Sequence, residues 1–265
     1  MTVRHYDANY GHFSAEVYAA VRREAFGEDI GQNSWLTADE HDLFIKWLAP
    51  NASSRVLDIA CGSGRTTLRI AQRTGCAVHG IDTHDAAISE ARAAARETGL
   101  AERATFDQVD ASKRLPFGDA SYNALICIDA INHLPDRPAI LQDWARILAP
   151  GGVLVFTDPI IVTGALTNEE MTIRSSIGFF LFVPPGLDER LLADAGLRVT
   201  DAIDRTENMA VIAGKRRAAR EKHAEDLRRI EGDETFDGQQ RFLAVASQLA
   251  AERRLSRIAF RAVRE

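Results

Sequence analysis

Val56-Leu57-Asp58-Ile59-Ala60-Cys61-Gly62-Ser63-Gly64 is the stretch that decides the fold of this chain of 265 residues. Its apolar, partly β-branched beginning is typical of a buried strand. The two glycines near its end allow positive φ and let a ligand approach the main chain closely. The residues that follow, Arg65 to Arg73, have helical composition. A strand, a glycine loop and a helix N-terminus together predict a site for a nucleotide-type ligand.

Strands and helices alternate outward from this stretch and predict an α/β fold. The later predicted strands are residues 77–82, 104–109, 122–128, 153–157, 197–203 and 256–263. Nearly continuous apolar strands at this rhythm indicate parallel strands with helices on both faces. The last strand alternates, which suits a strand with one exposed face. We expect a Rossmann-like, doubly wound sheet of about seven strands, mostly parallel with an antiparallel last strand.

Capping residues mark several of the predicted helices. Thr37 to Glu40 reads as a capping box that opens a helix ending near Leu48. Asp85 and Asp136 each stand where a side chain can cap the helix that follows. Two charged helices are expected over residues 207–230 and 235–253.

The chain is interpreted as one domain with four regions. These are a helical N-terminal cap (1–50), a ligand-binding core (51–158), an insertion (159–186) and the rest of the core with a helical cap (187–265). The insertion is longer than a usual connection and lies near the strand ends. The aromatic residues of the first region either form core or serve as a lid that brings Tyr10 and Trp35 near the bound ligands.

Composition restricts the classes of partner and the compartment. The net charge of −6 argues against a nucleic-acid partner. Cys61, Cys76 and Cys127 make neither a disulfide framework nor a zinc signature, which suits a reducing cytoplasm. The N-terminus has no apolar signal core, and no apolar run approaches the length of a membrane span. We expect a cytoplasmic protein without a membrane partner, and a homodimer is compatible with the sequence.

Two phosphate-binding motifs compete for the glycine loop and both fit poorly. A dinucleotide site of the NAD type calls for G-x-G-x-x-G, but Thr67 stands where the third glycine belongs. A P-loop needs Gly-Lys-Ser/Thr, which does not follow Gly64. The acid ahead of the glycines, Asp58, is more informative than either motif.

Val56 to Gly64 resembles the first motif of class I S-adenosylmethionine-dependent methyltransferases, whose usual form is close to Leu-Asp-Ile-Gly-Cys-Gly-Thr-Gly. The resemblance covers roughly residues 50–158 well and the remainder loosely. Further landmarks of the family are matched by Asp82, Asp110, Leu115-Pro116-Phe117 and Leu148-Ala149-Pro150-Gly151-Gly152. Ala60 and Asn123 depart from the usual glycine and aspartate. The methyl group of Ala60 adds bulk close to the cofactor.

The resemblance implies S-adenosylmethionine as methyl donor, S-adenosylhomocysteine as product, and no metal. Asp58 would accept from the ammonium group, and Asp82 would accept two charge-assisted hydrogen bonds from the ribose hydroxyls. Asp110 would contact the adenine amino group. The expected cofactor-binding residues are Asp58, Ala60, Cys61, Gly62, Gly64, Asp82, Thr83, Asp110, Ala111, Ile128, Tyr10 and Trp35.

Catalytic residues are expected at the carboxyl ends of the fourth and fifth strands, where open α/β sheets bind ligands. Asn132, His133 and Asp158 fall there. His133 is a candidate general base, and Asp158 could orient it. Small-molecule O-methyltransferases that this stretch resembles carry a His-His pair, which here is Asn132-His133. If the missing histidine is the essential one, His133 instead caps or packs the turn.

The leading hypothesis is methyl transfer to an oxygen or nitrogen of a small metabolite. Phe179, Phe180 and Asp129 are candidate acceptor-binding residues, although the phenylalanines could equally be core. Arg174 is interpreted as a surface residue. The adenine methyltransferases of nucleic acids need an Asp/Asn-Pro-Pro-aromatic motif, which this chain lacks after its fourth strand. The alternatives are an NAD-dependent oxidoreductase and a non-catalytic S-adenosylmethionine-binding protein, the latter because of Asn132.

Overall fold

A seven-stranded sheet organises residues 10–265, the part of the chain that the computed structural model describes. Its strands are β1 (Arg55–Ile59), β2 (Ala77–Asp82), β3 (Ala104–Gln108), β4 (Tyr122–Cys127), β5 (Leu148–Val162), β6 (Leu197–Asp204) and β7 (Leu255–Arg264). The order across the sheet is β3-β2-β1-β4-β5-β7-β6. β1 to β5 pair in parallel, and β7 runs antiparallel to β5 and β6. The predicted sheet with its antiparallel last strand is confirmed.

Helices cover both faces of the sheet. They are α1 (Glu16–Phe26), α2 (Ala38–Leu48), α3 (Arg65–Thr74), α4 (Asp85–Glu97), α5 (Arg137–Ile147), α6 (Asn168–Arg174), α7 (Leu187–Asp194), α8 (Thr206–Lys222), α9 (Ala224–Glu231) and α10 (Asp233–Ala251). Successive strand residues point to opposite faces. Val56 accordingly packs with α2, α3 and α4, while Leu57 packs with α5 and α7. Because β1 is buried on both faces, its apolar residues need no alternation.

The helix caps agree only in part with the sequence predictions. Thr37 caps α2 by accepting from the Glu40 backbone N–H at 3.3 Å, but the Glu40 carboxylate is fully buried and binds Arg257. Only one of the two hydrogen bonds of a capping box therefore forms, because the Glu40 carboxylate binds the buried Arg257. Asp85 was expected to cap α4 but lies in its first turn. Asp136 caps α5 as predicted, accepting from Ala139 N at 3.2 Å.

β5 is longer than predicted and extends into the proposed insertion. It continues past residue 158 to Val162, where its backbone N–H donates to the Val183 carbonyl at 2.8 Å. The end of the insertion thus returns to the sheet. Between these two points the chain forms α6 and the loop that follows it.

Two expectations for the C-terminal region are wrong. β7 lies between β5 and β6 and is buried on both faces through its middle, so its alternation does not mark an exposed face. The first of the two charged helices is broken at His223, which separates α8 from α9.

The N-terminal and C-terminal helices form the cap together. Tyr18 and Val21 of α1 pack with Ala219 of α8 and Phe236 of α10. Residues 1–9 of the predicted N-terminal cap lie outside the described residues. Within residues 10–265, no helix has the length and apolar character needed to cross a membrane.

Candidate active site

A cavity of about 610 Å³ lies at the carboxyl ends of β1 to β5. The wall above β1, β2 and β3, which we call the glycine-loop half, includes Asp58, Ala60, Cys61, Gly62, Asp82, Thr83, Asp110 and Ala111. The opposite wall, which we call the aromatic half, includes Trp35, Asn132, His133, Arg174, Phe180 and Phe242. Ile128, at the end of β4, lies between the two.

The glycine loop turns because three of its residues have positive φ. Gly62 has φ 56° and Gly64 has φ 69°, while Ala60 adopts φ 61° without being glycine. This left-handed geometry explains why glycine is usual at the Ala60 position in the family that the sequence resembles. A Cβ atom on Gly62 would lie 2.7 Å from the Tyr10 hydroxyl oxygen. Tyr10 therefore forms the wall directly over the loop.

Asp82 ties the loop to the end of β2. One carboxylate oxygen accepts from the Gly62 backbone N–H at 2.9 Å, and the other accepts from His84 N at 3.0 Å. Burial raises the pKa of Asp82, and these backbone hydrogen bonds oppose the increase. A carboxylate oxygen can accept more than one hydrogen bond, so Asp82 keeps the capacity to bind hydroxyl groups in the cavity.

Asp58 is buried at the end of β1. It is held by Thr67, the residue that counted against a dinucleotide motif in the sequence. Its carboxylate accepts from Thr67 Oγ1 at 2.5 Å. Burial raises the pKa of Asp58 to about 7, and the Thr67 hydrogen bond opposes that increase. Thr67, which replaces the third glycine of a dinucleotide motif, thus positions the acid from the first turn of α3.

Gly64 and Asp110 have different surroundings. A Cβ on Gly64 would meet Ala91 at 2.6 Å and Phe106 at 2.7 Å, and a cofactor contact through its backbone stays a prediction. Its role is to let α3 approach α4 and β3 closely. Asp110 lines the cavity from an exposed position and accepts from the Ser112 hydroxyl at 2.6 Å, which lowers the pKa of Asp110.

His133 lies in the aromatic half with a defined tautomer. Its Nδ1 lies 2.8 Å from the Phe179 carbonyl oxygen, which can only accept, so Nδ1 carries the proton. Nε2 is then the basic nitrogen. Burial, together with the positive charge of Arg174, lowers the pKa of His133 to about 4, and the hydrogen bond to the Phe179 carbonyl opposes that decrease. The Phe180 ring packs edge-on against the imidazole with centroids 4.7 Å apart.

Asn132 precedes His133 in a short 3-10 turn, and its side chain is only 1% exposed. Its backbone carbonyl accepts from Leu181 N at 2.8 Å, which fixes the turn against the loop after α6. Among residues 10–265, neither the oxygen nor the nitrogen of its side-chain amide has a hydrogen-bond partner.

Arg174 is buried, contrary to the prediction of a surface residue. It is 1% exposed, and its guanidinium lies 4.7 Å from the Phe242 ring, 5.0 Å from Phe180 and 5.7 Å from Trp35. The aromatic faces are attractive to a cation, so they hold the guanidinium in the wall of the cavity. Phe180 is thereby placed in the aromatic half, whereas the Phe179 side chain is largely exposed at its rim.

The roles predicted for Asp158 and Asp129 do not fit this structure. Asp158 is fully buried, and its carboxylate pairs with Arg137, which also binds Asp188 at 2.7 Å. Asp129 borders the cavity, but its carboxylate accepts from Arg257 Nε at 2.7 Å, Thr157 Oγ1 at 2.7 Å and Trp35 N at 3.0 Å. Asp129 therefore positions Trp35 instead of offering a free carboxylate to an acceptor.

Arg216 and Phe242 are wall residues that sequence reasoning missed. Arg216 belongs to the first of the two charged helices expected from the sequence, and its guanidinium lies 5.5 Å from the Trp35 ring and donates to the Ser34 carbonyl at 3.3 Å. Phe242 of α10 stacks on Trp35 with centroids 6.2 Å apart. Neither residue carries a motif, because both reach the cavity only through the packing of the cap.

Comparison with known proteins agrees with this geometry. A methyltransferase-domain family profile matches residues 56–152. The methyltransferase GfsG of Streptomyces halstedii is 37% identical over 118 residues, which are 44% of this chain and 42% of that protein. A ubiquinone biosynthesis O-methyltransferase of Pseudomonas aeruginosa is 30% identical over 182 residues, 64% of this chain and 77% of that protein. The matched part of this chain thus spans less than half of the first relative and about three quarters of the second.

The fold is also that of solved methyltransferase-like structures. The cyclopropane synthase MmaA2 of Mycobacterium tuberculosis superimposes with a TM-score of 0.82 over 98% of both chains, at 16% identity. The chain belongs to the class I S-adenosylmethionine-dependent methyltransferases, and its methyl donor is S-adenosylmethionine. The NAD-dependent alternative is set aside, because the family model and the relatives that match this chain are methyltransferases.

The glycine-loop half fits this donor. An ammonium group beside Asp58 would offset the burial that raises the pKa of that carboxyl. Asp82 borders the cavity with capacity for hydroxyl groups, and the bare Gly62 backbone lets the Tyr10 side chain lie directly on the loop. Within residues 10–265, no three histidine, cysteine or acidic side chains are grouped as metal ligands.

Proposed function

We propose that this enzyme methylates a hydroxyl group of a small-molecule acceptor, with His133 as general base. The proposal rests on the hydrogen bond that His133 Nδ1 donates to the Phe179 carbonyl. Because Nδ1 holds the proton, Nε2 is the basic nitrogen of the ring. A pKa of about 4 keeps the imidazole neutral near pH 7, with Nε2 unprotonated. A cavity of about 610 Å³ has the size of a small-molecule site.

S-adenosylmethionine supplies a methyl group activated by a sulfonium centre. The acceptor hydroxyl gives its proton to His133 Nε2 as an oxygen lone pair forms the new O–CH₃ bond, and the electron pair of the broken S–CH₃ bond remains on sulfur. The products are a methyl ether, S-adenosylhomocysteine and protonated His133. The protein aligns the two reactants and excludes water from the cavity.

Oxygen is favoured over nitrogen by the charge in the aromatic half. Methyl transfer to an amine leaves positive charge on nitrogen, whereas deprotonation of a hydroxyl builds negative charge on oxygen. The Arg174 guanidinium acts electrostatically on His133 and would stabilise an oxyanion beside it. The same charge disfavours an ammonium product.

We also propose how the donor is held. Asp58 would accept from the ammonium group, Asp82 from the ribose hydroxyls, and Asp110 from the adenine amino group, as the family resemblance implies. Cys61, Thr83 and Ala111 would line the adenosine pocket, and Tyr10 and Trp35 would cover the ligands from the cap. A cytoplasmic location is consistent with three cysteines that are all buried and unbridged.

His133→Ala tests the proposal. Release of S-adenosylhomocysteine from a panel of hydroxyl and amine compounds should fall roughly a hundredfold, because the base is lost. His79→Ala is the matched control, since His79 binds Tyr122 and Asp107 outside the cavity. Calorimetric affinity for S-adenosylhomocysteine should stay near wild type in both variants. Turnover of His133→Ala at the wild-type rate would contradict a base role, and wild-type binding of the donor without any turnover would favour a non-catalytic protein.

A further inference from the structure

The side chain of Asn132 is in an unusual position for a buried amide. It lines the cavity, it is 1% exposed, and among residues 10–265 both of its polar atoms are without a hydrogen-bond partner. A buried polar group left without hydrogen bonds destabilises the folded protein. Its backbone is fixed by the Leu181 N–H, so the turn holds the amide where it is. A ligand that completes these hydrogen bonds would recover that cost.

The chemistry of the amide restricts what can complete it. The nitrogen donates and the oxygen accepts, so a full partner must accept and donate at one place. A hydroxyl group does both. A carboxylate or an ether only accepts, and an ammonium group only donates, so each would leave half of the amide unsatisfied.

This hydroxyl lies close to the one that reacts. Asn132 and His133 are consecutive residues of one tight turn, and both side chains border the cavity. If His133 receives the proton of the methylated hydroxyl, Asn132 holds a second group a few ångströms away. The second hydroxyl keeps its proton, because it donates to Asn132 Oδ1 and accepts from Nδ2.

The walls indicate the body of the acceptor. Trp35 and Phe242 stack at an interplanar angle of 14°, and Phe180 stands edge-on to His133. The Trp35 backbone is fixed on both sides, because its N–H donates to Asp129 at 3.0 Å and its carbonyl accepts from Asn208 at 2.9 Å. Rigid aromatic side chains that border the cavity favour a flat, apolar ring in contact with them.

We propose that the acceptor is a ring compound with hydroxyl groups on two neighbouring carbons, one methylated beside His133 and the other bound by the Asn132 amide. This inference rests on the proposed function, since it assumes that His133 faces the methylated hydroxyl. Asn132 is then a specificity-determining residue that selects vicinal diols over monohydroxy rings.

The test compares ring compounds of matched size with one hydroxyl, or with two in 1,2, 1,3 or 1,4 positions. For each compound, kcat/KM is measured by S-adenosylhomocysteine release with wild type and with Asn132→Leu, which has a similar size and no hydrogen-bonding group. Wild type should prefer the 1,2-diol over the monohydroxy ring by at least about tenfold. Asn132→Leu should lose this preference, so that the ratio of its kcat/KM values for the 1,2-diol and the monohydroxy ring falls to about one.

Thermal unfolding distinguishes recognition from a structural role. Replacing an unsatisfied buried amide with leucine should leave the Tm unchanged or raise it. A preference for the 1,2-diol that survives in Asn132→Leu, a wild type indifferent to the second hydroxyl, or a preference for the 1,3 isomer would overturn the inference while leaving hydroxyl methylation intact. Turnover with amines alone, or with no compound, would overturn both.

Discussion

The two halves of the cavity are built in different ways. The glycine-loop half comes from three neighbouring strands, and its parts, residues 58–63, 82–84 and 109–112, are held by backbone hydrogen bonds. The aromatic half brings together Trp35, His133, Arg174, Arg216 and Phe242, which are spread over 200 residues of the chain. The glycine-loop half is therefore formed by the sheet itself. The aromatic half is formed by the packing of the cap on the sheet.

Buried charge holds the aromatic half in place. Asp129 binds the Trp35 backbone and also accepts from Arg257 at 2.7 Å. The other side of Arg257 binds Glu40 of α2 at 2.7 Å, and Glu40 accepts from Arg205 at 2.8 Å. The wall around Trp35 is thus fixed to β7 and α2 by ion pairs, whereas no charged side chain is needed to shape the glycine loop beyond Asp82.

Among the changes that test this difference between the two halves, Arg257→Met should have the largest effect, and the effect is on stability. Removing the fully buried guanidinium leaves the Glu40 and Asp129 carboxylates without their shared counter-ion. We expect the free energy of unfolding to fall by about 3–5 kcal/mol in denaturant titration, because breaking a buried ion pair leaves uncompensated charge.

Arg253→Met is the control for this prediction. Arg253 pairs with Asp204 at 2.6 Å, but both side chains are exposed. Its loss should change stability by less than about 1 kcal/mol. An equal loss of stability in the two variants would show that the buried ion pairs beside the aromatic half stabilise the protein no more than an exposed surface pair.

A change of pH should have a smaller effect, on the affinity of the glycine-loop half for S-adenosylhomocysteine. With a pKa of about 7, Asp58 is largely protonated in the free enzyme at pH 5 and 6. The ammonium group of the donor favours the carboxylate, so binding releases a proton below pH 7. Affinity for S-adenosylhomocysteine should rise about tenfold per pH unit up to about pH 6 and level off above pH 7.

Calorimetry in buffers of different ionisation enthalpy would detect the released proton. Asp58→Asn is the control, because its amide does not titrate and should remove the pH dependence. An affinity for S-adenosylhomocysteine that is constant from pH 5 to 7 in wild type would show that Asp58 does not meet the ammonium group.

The sequence predicted the structure best where a feature is formed by residues close together in the chain. A strand ending in Asp58, a loop with Gly62 and a second strand ending in Asp82 are contiguous patterns, and the sheet places their ends together without help from distant residues. The fold and the donor could therefore be predicted. Even here the motif does not report that Gly64 lets α3 pack closely against α4 and β3.

The aromatic half shows why the rest could not be predicted. Arg174 and Arg216 look like surface residues until Trp35 and Phe242 surround them. In the sequence Asp158 follows a predicted strand as a catalytic acid would, but β5 continues past it and Arg137 from α5 pairs with its carboxylate. Each of these outcomes depends on a partner far away in the chain, which no local pattern reports.

The most direct test of the two-half arrangement is calorimetric titration of S-adenosylhomocysteine into wild type, Asp82→Ala and Asn132→Leu. Loss of the charge-assisted hydrogen bonds in Asp82→Ala should weaken binding by about 1–3 kcal/mol, roughly a tenfold to hundredfold change in Kd. Asn132→Leu should bind within about twofold of wild type, because its amide faces the other half. Unchanged affinity in Asp82→Ala, or an equal loss in both variants, would contradict the arrangement.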